Sequence, residues 1–134
     1  MKRLLLALVF CLMPAMAWPQ GIPAPVSFLS AVSTNCTLVE RGNVQYMGGL
    51  YVNTTAAIYY IKLYDTNVTP TAGLIPVRRI PIPFVAASAG GVVADFPPGG
   101  LNFNNGFGFC LTGAIADNDA TNAAAGVTIN FSLH

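Results

Sequence analysis

Asp117 and Asp119 are the only two carboxylates that lie close together in this sequence. With Asn118 and Asn122 they offer oxygen ligands of the kind that calcium binds. The central glycine and the distal glutamate of an EF-hand loop are absent at the required spacing. Asp and Asn side chains also close turns by accepting hydrogen bonds from nearby backbone. We therefore predict a turn at these residues, with a calcium site as the alternative.

The sequence contains no recognisable set of residues for histidine-assisted catalysis, zinc binding or glycoside hydrolysis. His134 is the only histidine and the last residue, where we expect disorder and not a base held in place by a third group. A zinc site needs three or four cysteine, histidine or carboxylate ligands. Carboxylates for glycoside hydrolysis have no recognisable spacing in this chain. The sequence thus predicts a protein that is not an enzyme and has no metal or cofactor.

The beginning of the sequence has the layout of a secretory signal peptide. Lys2 and Arg3 precede the apolar run Leu4–Met13, and a small-residue site follows at 15–17. The run is too short to span a bilayer, which takes about 20 apolar residues. We predict that residues 1–17 are cleaved and that the mature chain is exported, to the periplasm or the extracellular space.

Cys36 and Cys110 form an even pair once Cys11 leaves with the signal. In an oxidising compartment such a pair is more often a disulfide than a redox or metal site. The disulfide would close a loop of roughly 75 residues and stabilise the fold by about 4 kcal/mol. Two buried free thiols, packing as small hydrophobic side chains, are the alternative.

The charge of the chain limits its partners. After residue 17 it carries four basic and five acidic residues, a net charge of −1. Nucleic-acid binding needs several cations on one face, so we predict no nucleic-acid partner. We also predict no stable membrane span in the mature chain, because no second apolar stretch is long enough. A net charge near zero favours association, so the protein either works in an assembly or has a surface rich in neutral polar groups.

About eight short runs of strand-forming residues, bounded by turn formers, follow a proline-rich leader arm at 18–25. Their spacing is typical of an all-β fold, which we predict to be an antiparallel β-sandwich of jelly-roll type over residues 26–134. The predicted strands are Val26–Val32, Cys36–Glu40, Val44–Val52, Ala57–Tyr64, Leu74–Ile82, Gly91–Phe96, Gly106–Ile115 and Gly126–Leu133.

The strand predicted at Ala57–Tyr64 has two different faces. Tyr59, Ile61 and Leu63 share one face and are predicted to point into the core, because they are large and mostly apolar. The opposite face carries a lysine and is predicted to be half exposed, toward solvent or a partner. The candidate interaction residues of the whole chain are Tyr51, Tyr60, Lys62, Tyr64, Arg78 and Arg79.

Pro76, Pro81 and Pro83 interrupt the segment "LIPVRRIPIPF". Each proline removes a backbone donor, so the segment is predicted to be an edge strand or a strand that crosses between sheets. Arg78 and Arg79 would point to opposite faces of that strand. One of them can bind carboxylates across an interface; alternatively, the pair protects the edge by its charge.

Two segments carry motifs of a known family. The runs "LYVNT" at 50–54 and "IKLYD" at 61–65 are followed by "VTPT" at 68–71, and "LTGAIADND" closes the pattern at 111–119. On these motifs the chain resembles a small β-sandwich domain of structural proteins in tailed phages and prophages, over Gly48–Pro83 and Leu101–Thr121. The resemblance implies a virion component whose residues serve folding and lattice contacts, with no catalytic residue.

We therefore expect a non-enzymatic structural or surface module that assembles through strand edges and an aromatic face. Its partners would be further copies of itself or other virion or surface proteins, and it would lie on the virion surface or in an exported compartment. The alternative is a secreted carbohydrate-binding or surface-binding module, in which Tyr51, Tyr60 and Tyr64 stack on sugar rings.

Overall fold

The described part of the chain is an all-β sandwich. The computed structural model describes residues 24–29, 35–71, 73–84, 90–95 and 99–134, and within them nine strands and no helix are found. All strand pairs are antiparallel, which confirms the predicted fold class. The strands are β1 (Ala24–Leu29), β2 (Cys36–Arg41), β3 (Val44–Asn53), β4 (Tyr59–Asp65), β5 (Arg78–Ile82), β6 (Gly90–Asp95), β7 (Leu101–Phe103), β8 (Gly106–Thr112) and β9 (Val127–Leu133).

The predicted signal peptide and leader arm can be compared with the structure only at residues 24 and 25. The predicted signal peptide at 1–17 lies outside the described residues, and so does the leader arm at 18–25 except for its last two residues. Ala24 and Pro25 begin β1, where they pair with Leu133 and Ser132 of β9. Pro25 is accommodated because β1 is an edge strand, in which one side of the backbone needs no ladder partner.

The strand order is that of a jelly roll. The first sheet runs β1-β9-β3-β6 and the second runs β2-β8-β4-β5. The short β7 pairs with Val44–Tyr46 of β3, and β6 pairs with Gly48–Asn53 of the same strand, so β6 and β7 share one strand position. The predicted jelly roll is confirmed. The separate β7 was not predicted, because three residues are too few to show an alternating pattern.

The proline-containing segment is an edge strand, as predicted. Among the described strands, β5 has a neighbour, β4, on one side only. Pro81 lies in β5 opposite Tyr60, whereas Pro76 and Pro83 lie outside the strand. The strand therefore begins at Arg78 and not at Leu74, although the Val77 N–H still donates to the Leu63 carbonyl of β4 at 2.8 Å.

The core between the sheets is built around Phe131 of β9. Its ring centroid lies 5.0 Å from those of Phe107 and Phe109 on β8, in edge-to-face geometry. Because β9 belongs to the first sheet and β8 to the second, these contacts join the two layers. Aromatic pairs of this geometry add about 0.5–1.5 kcal/mol each beyond the burial of their area.

Tyr51 is part of this core and not of an outer face. β3 has an irregularity between Tyr46 and Gly48, which shifts the alternation so that Tyr46 and Tyr51 both point inward. Their hydroxyl groups form a hydrogen bond with each other. A Cβ added at Gly49 would lie 2.9 Å from both hydroxyl oxygens, so a larger residue there would displace the pair.

Candidate functional site

The predicted interaction face is not a single exposed surface. Tyr51, Lys62 and Tyr64 are buried, so the prediction that they face solvent or a partner is wrong. Tyr59, Ile61 and Leu63 have the predicted orientation, in that Ile61 and Leu63 are fully buried and Tyr59 packs against the core. The remaining candidates are Tyr60 and Arg79, which are half-buried, and Arg78, which is exposed.

The loop at residues 113–126, which we call the cover loop, lies over the outer face of the second sheet. The Lys62 ammonium donates to the carbonyl oxygens of Ala116 at 2.5 Å and Asp119 at 3.5 Å. The Arg79 guanidinium donates from Nε to Asp117 Oδ1 at 2.7 Å, and its Nη2 lies 2.5 Å from the same oxygen. These contacts explain why the lysine face of β4 is covered: both cations find their partners within their own chain.

Asp119 closes the cover loop on itself. Its carboxylate accepts from the backbone N–H of Ala114 at 2.8 Å, from the Thr121 hydroxyl at 2.8 Å and from the Thr121 N–H at 3.3 Å. The predicted turn is thereby confirmed. Among the described residues no group of three or more histidine, cysteine or carboxylate side chains is placed to hold a metal ion.

One row of side chains crosses all four strands of the second sheet. Cys36, Cys110, Lys62 and Arg79 are successive register partners on β2, β8, β4 and β5. Cys36 and Cys110 form a disulfide, as predicted, with 74 residues of sequence separation, so the alternative of two free thiols is wrong. The row therefore begins with a covalent link at one sheet edge and ends with an ion pair at the other.

Burial under the cover loop changes the ionisation of the groups there. Desolvation lowers the pKa of Lys62, while the negative charges of Asp119 and Asp117 oppose that shift. Desolvation also raises the pKa of Tyr64, and the negative charge of Asp117 raises it further. Two cations and two carboxylates meet in this region, so their charges balance. The arrangement fastens a loop to a sheet and leaves no charged group aimed at a ligand.

Sequence reasoning missed an exposed apolar surface beside β5. We call residues 73–84 the edge segment. Ile75 is 82% exposed, Val77 50% and Leu74 43%, and Phe84 is exposed at the other end of the segment. Exposed groups of aliphatic side chains mark contact surfaces or aggregation sites. Pro76 between Ile75 and Val77 was the available signal, because a proline has no N–H to donate to a sheet ladder.

A second exposed apolar pair lies on the outer face of the first sheet. Leu50 and Val93 are direct register partners on β3 and β6, and both are exposed. They line a shallow depression of about 460 Å³ together with Met47, Asn130 and Ser132. This pair is smaller than the apolar surface of the edge segment and is interrupted by the polar residues of β9.

Amide side chains line a third surface feature, a depression of about 340 Å³ at the beginning of β3. Asn43 and Gln45 approach it from the β3 side, Asn102 and Asn104 from the β7 side, and His134 from the end of β9. We expected the last residue, His134, to be disordered, but the structure shows it ordered. Its backbone N–H and C=O each form a 2.8 Å hydrogen bond with Gln45.

The fold and these surfaces define the class of the protein: an antiparallel jelly-roll sandwich with a disulfide across its second sheet. Comparisons with protein-family models, with curated proteins and with solved structures gave no significant match. The resemblance to phage structural proteins therefore stays a prediction. In the part of the chain that the structure describes, no helix is long and apolar enough to cross a membrane.

Proposed function

We propose that this protein is a non-enzymatic structural module that assembles on a surface, as a virion-associated protein of a phage or prophage. The exposed aliphatic side chains of the edge segment are the observation that carries this proposal. Leu74, Ile75 and Val77 lie close together along the chain, interrupted by Pro76 and immediately before an edge strand. Burying an aliphatic side chain of this size at a contact contributes about 1.5–3 kcal/mol.

The fold and the charge of the chain support the same proposal. Jelly rolls recur in viral capsid and lectin domains. This support rests on the likeness of the folds and not on a functional site. The near-zero net charge of the chain after residue 17 places little repulsion between copies. The predicted resemblance of the sequence motifs to those of phage structural proteins points in the same direction.

The use of the carboxylates supports a non-enzymatic role. Asp117 and Asp119 fasten and close the cover loop, and Asp65 accepts a 2.7 Å hydrogen bond from the backbone N–H of Asn105. An acid or base for catalysis must be within reach of a substrate proton. These three carboxylates are instead engaged in joining segments of the fold.

The disulfide supports an oxidising location for the folded protein. Disulfides form and persist in secreted proteins, in the periplasm and on virion surfaces. We propose that the protein reaches its place of assembly through export or after release from the cell.

Sedimentation velocity of the mature protein tests the assembly proposal. We expect concentration-dependent association, weakened about tenfold or more in the double variant Ile75→Ser/Val77→Ser, because two contact side chains lose their apolar surface. Val93→Ser is the matched control, since Val93 is also an exposed valine, 63% accessible, but lies on the other sheet. It should associate like the unchanged protein.

Purified particles provide the second arm of this test. A module that binds other virion proteins should be found in gradient-purified particles, and Ile75→Ser/Val77→Ser should be depleted from them. A protein that stays monomeric at every concentration and is absent from particles would overturn the proposal. Equal effects of Val93→Ser and the double variant would place the contact elsewhere than the edge segment.

The alternative of sugar binding through Tyr51, Tyr60 and Tyr64 is not supported by the burial of these side chains. Stacking needs an accessible ring face, but Tyr51 and Tyr64 are buried and Tyr60 is half-buried. We do not propose it for these residues.

A further inference from the structure

The amide-lined depression at the beginning of β3 is built from three separate strands. The register pairs Val44 with Phe103 and Gln45 with Asn102 bring β3 and β7 together. The two backbone hydrogen bonds between Gln45 and His134 add the end of β9 to the other side of β3. Residues distant in sequence therefore converge on one small concavity whose walls are fixed by backbone pairing.

The side chains around this depression are already partly positioned. The Gln45 amide donates to the Gly99 carbonyl at 2.6 Å and lies 3.5 Å from Asn102 Oδ1. Val44 and Phe103 also line the depression, but both side chains are buried in the core. The accessible groups are therefore the amides and the imidazole, and a ligand would meet polar side chains held on a rigid base.

Two of these amides have unused hydrogen-bonding capacity. In the described part of the chain, the exposed side chains of Asn43 and Asn104 make no hydrogen bond. Each primary amide offers two donors and a carbonyl acceptor. Neighbouring hydroxyl groups of a ligand, which also donate and accept, are complementary to such a set.

The charge and the size of the depression narrow the class of ligand. No charged side chain is among its lining residues, and its volume of about 340 Å³ is at the small end of the range for small-molecule sites. A charged ligand would lose its hydration there without meeting a lysine, arginine, aspartate or glutamate side chain of opposite charge. We propose that this depression binds a neutral, polyhydroxylated ligand, namely the terminal neutral sugar unit of a glycan.

This proposal is independent of the proposed assembly function. The lining residues lie on β3, on β7 and at the end of β9, whereas the exposed aliphatic residues of the edge segment precede β5 in the other sheet. A variant of one surface therefore leaves the other intact, and each proposal can fail without the other.

Two-dimensional ¹H–¹⁵N NMR of the mature protein tests the site, because side-chain amide groups give their own signals. The probes are the methyl glycosides of glucose, galactose, mannose and N-acetylglucosamine, with glucuronic acid and glucosamine as charged counterparts. We expect at least one neutral glycoside to shift the amide signals of Asn43, Asn102 and Asn104 in a saturable way. Charged counterparts should bind about tenfold more weakly or not at all.

The variant Asn43→Ala/Asn104→Ala should lose about tenfold or more in affinity for the bound glycoside, since each substitution removes a hydrogen-bonding amide. Asn67→Ala/Asn118→Ala is the matched control, because both asparagines are exposed and lie outside the depression. The dispersion of the backbone signals shows that each variant is folded. Absence of saturable shifts with all four glycosides, an unchanged affinity in Asn43→Ala/Asn104→Ala, or equal binding of charged counterparts would each overturn the proposal.

Discussion

The cover loop and the edge segment both lie beside the second sheet, yet the chain treats them in opposite ways. The cover loop brings Asp117 and Asp119 to Lys62 and Arg79, so that four of the nine charged residues after position 17 meet in one place. The edge segment presents Ile75 and its aliphatic neighbours to solvent. The two segments touch through the ion pair of Arg79 with Asp117 and through a backbone hydrogen bond from Gly73 to Asp117.

The contrast teaches where this protein places its polar and apolar groups. Charged groups, which usually cover a protein surface, are used here to seal a loop over a sheet. Aliphatic groups, which usually fill a core, remain on the outside next to an edge strand. We infer that the cover loop serves stability and the edge segment serves contact with a partner, and the following changes separate these roles.

Removing the disulfide should have the largest effect. Cys36→Ala/Cys110→Ala is expected to lower the free energy of unfolding by about 4 kcal/mol, because the bond closes a loop of 74 residues. Urea unfolding in the absence of reductant measures the change. Adding reductant should destabilise the unchanged protein to the same extent and leave the double variant unaffected; an effect of reductant on the variant would show that the loss has another cause.

Asp119→Asn should have the next largest effect, at about 0.5–1.5 kcal/mol, because exposed hydrogen bonds to a carboxylate are replaced by weaker ones to a neutral amide with a single acceptor oxygen. The pH dependence checks the mechanism. Desolvation raises the pKa of Asp119, but the bonds from Thr121 and Ala114 and the charge of Lys62 lower it more, so the net pKa lies below the ordinary 3.8. The stability that Asp119 contributes is therefore fully present above pH 3.8 and is lost as the pH falls through the folded-state pKa.

Unfolding curves of Asp119→Asn over the acidic range test this sign. The variant should lack the part of the acid-induced loss that Asp119 causes, so its difference from the unchanged protein should shrink as the pH falls. A difference that stays constant down to the lowest pH would contradict the assigned role of the carboxylate.

The contribution of the ion pair between Arg79 and Asp117 can be measured with the neighbouring Arg78 as the matched control. Arg79→Met should destabilise the fold by about 0.5–1 kcal/mol, because its contact with Asp117 is half exposed and partly screened by solvent. Hydrogen exchange should also become faster at the Gly73 N–H, which donates to the Asp117 carbonyl. Arg78→Met, on the exposed neighbour, should not change that exchange rate. If Arg79→Met and Arg78→Met had equal effects, both arginines would act only through their strand propensity, and the ion pair would contribute nothing.

The smallest effect on stability is expected at the edge segment. Ile75→Ser should change the free energy of unfolding by less than about 0.5 kcal/mol, since a highly exposed side chain has little burial to lose. Thermal unfolding under conditions where the protein is monomeric measures it. A loss comparable to that of Asp119→Asn would show that the aliphatic residues stabilise the monomer, and the contrast between the two segments would fall.

The sequence was a good guide wherever the signal was local. Alternation identified the strands around Tyr46 and Leu63, prolines identified the β5 edge, and the even cysteine pair identified the disulfide. The turn at Asp119 followed from the tendency of Asp to bond nearby backbone. These features depend on residues a few positions apart or, for the cysteines, on counting alone.

The exposure of the candidate residues could not be predicted in the same way. The face of Lys62 is covered by a loop more than 50 positions away, and nothing in the loop's composition shows on which sheet it lies. Tyr51, a candidate interaction residue, is buried instead, because an irregularity in β3 shifts the alternation by one residue. The amide depression depends on pairing between β3, β7 and the end of β9, which no local pattern contains.

The disulfide also bears on the exchange of strands between molecules. β2 and β5 are the two edges of the second sheet, and an edge strand is the strand most easily replaced by one from a neighbouring copy. Such a swap at β2 would require breaking the bond from Cys36 to Cys110. β5 contains no cysteine, and in the described part of the chain Pro81 and the Arg79 ion pair protect it. Domain-swapped oligomers, if they form under oxidising conditions, should therefore exchange β5 and not β2.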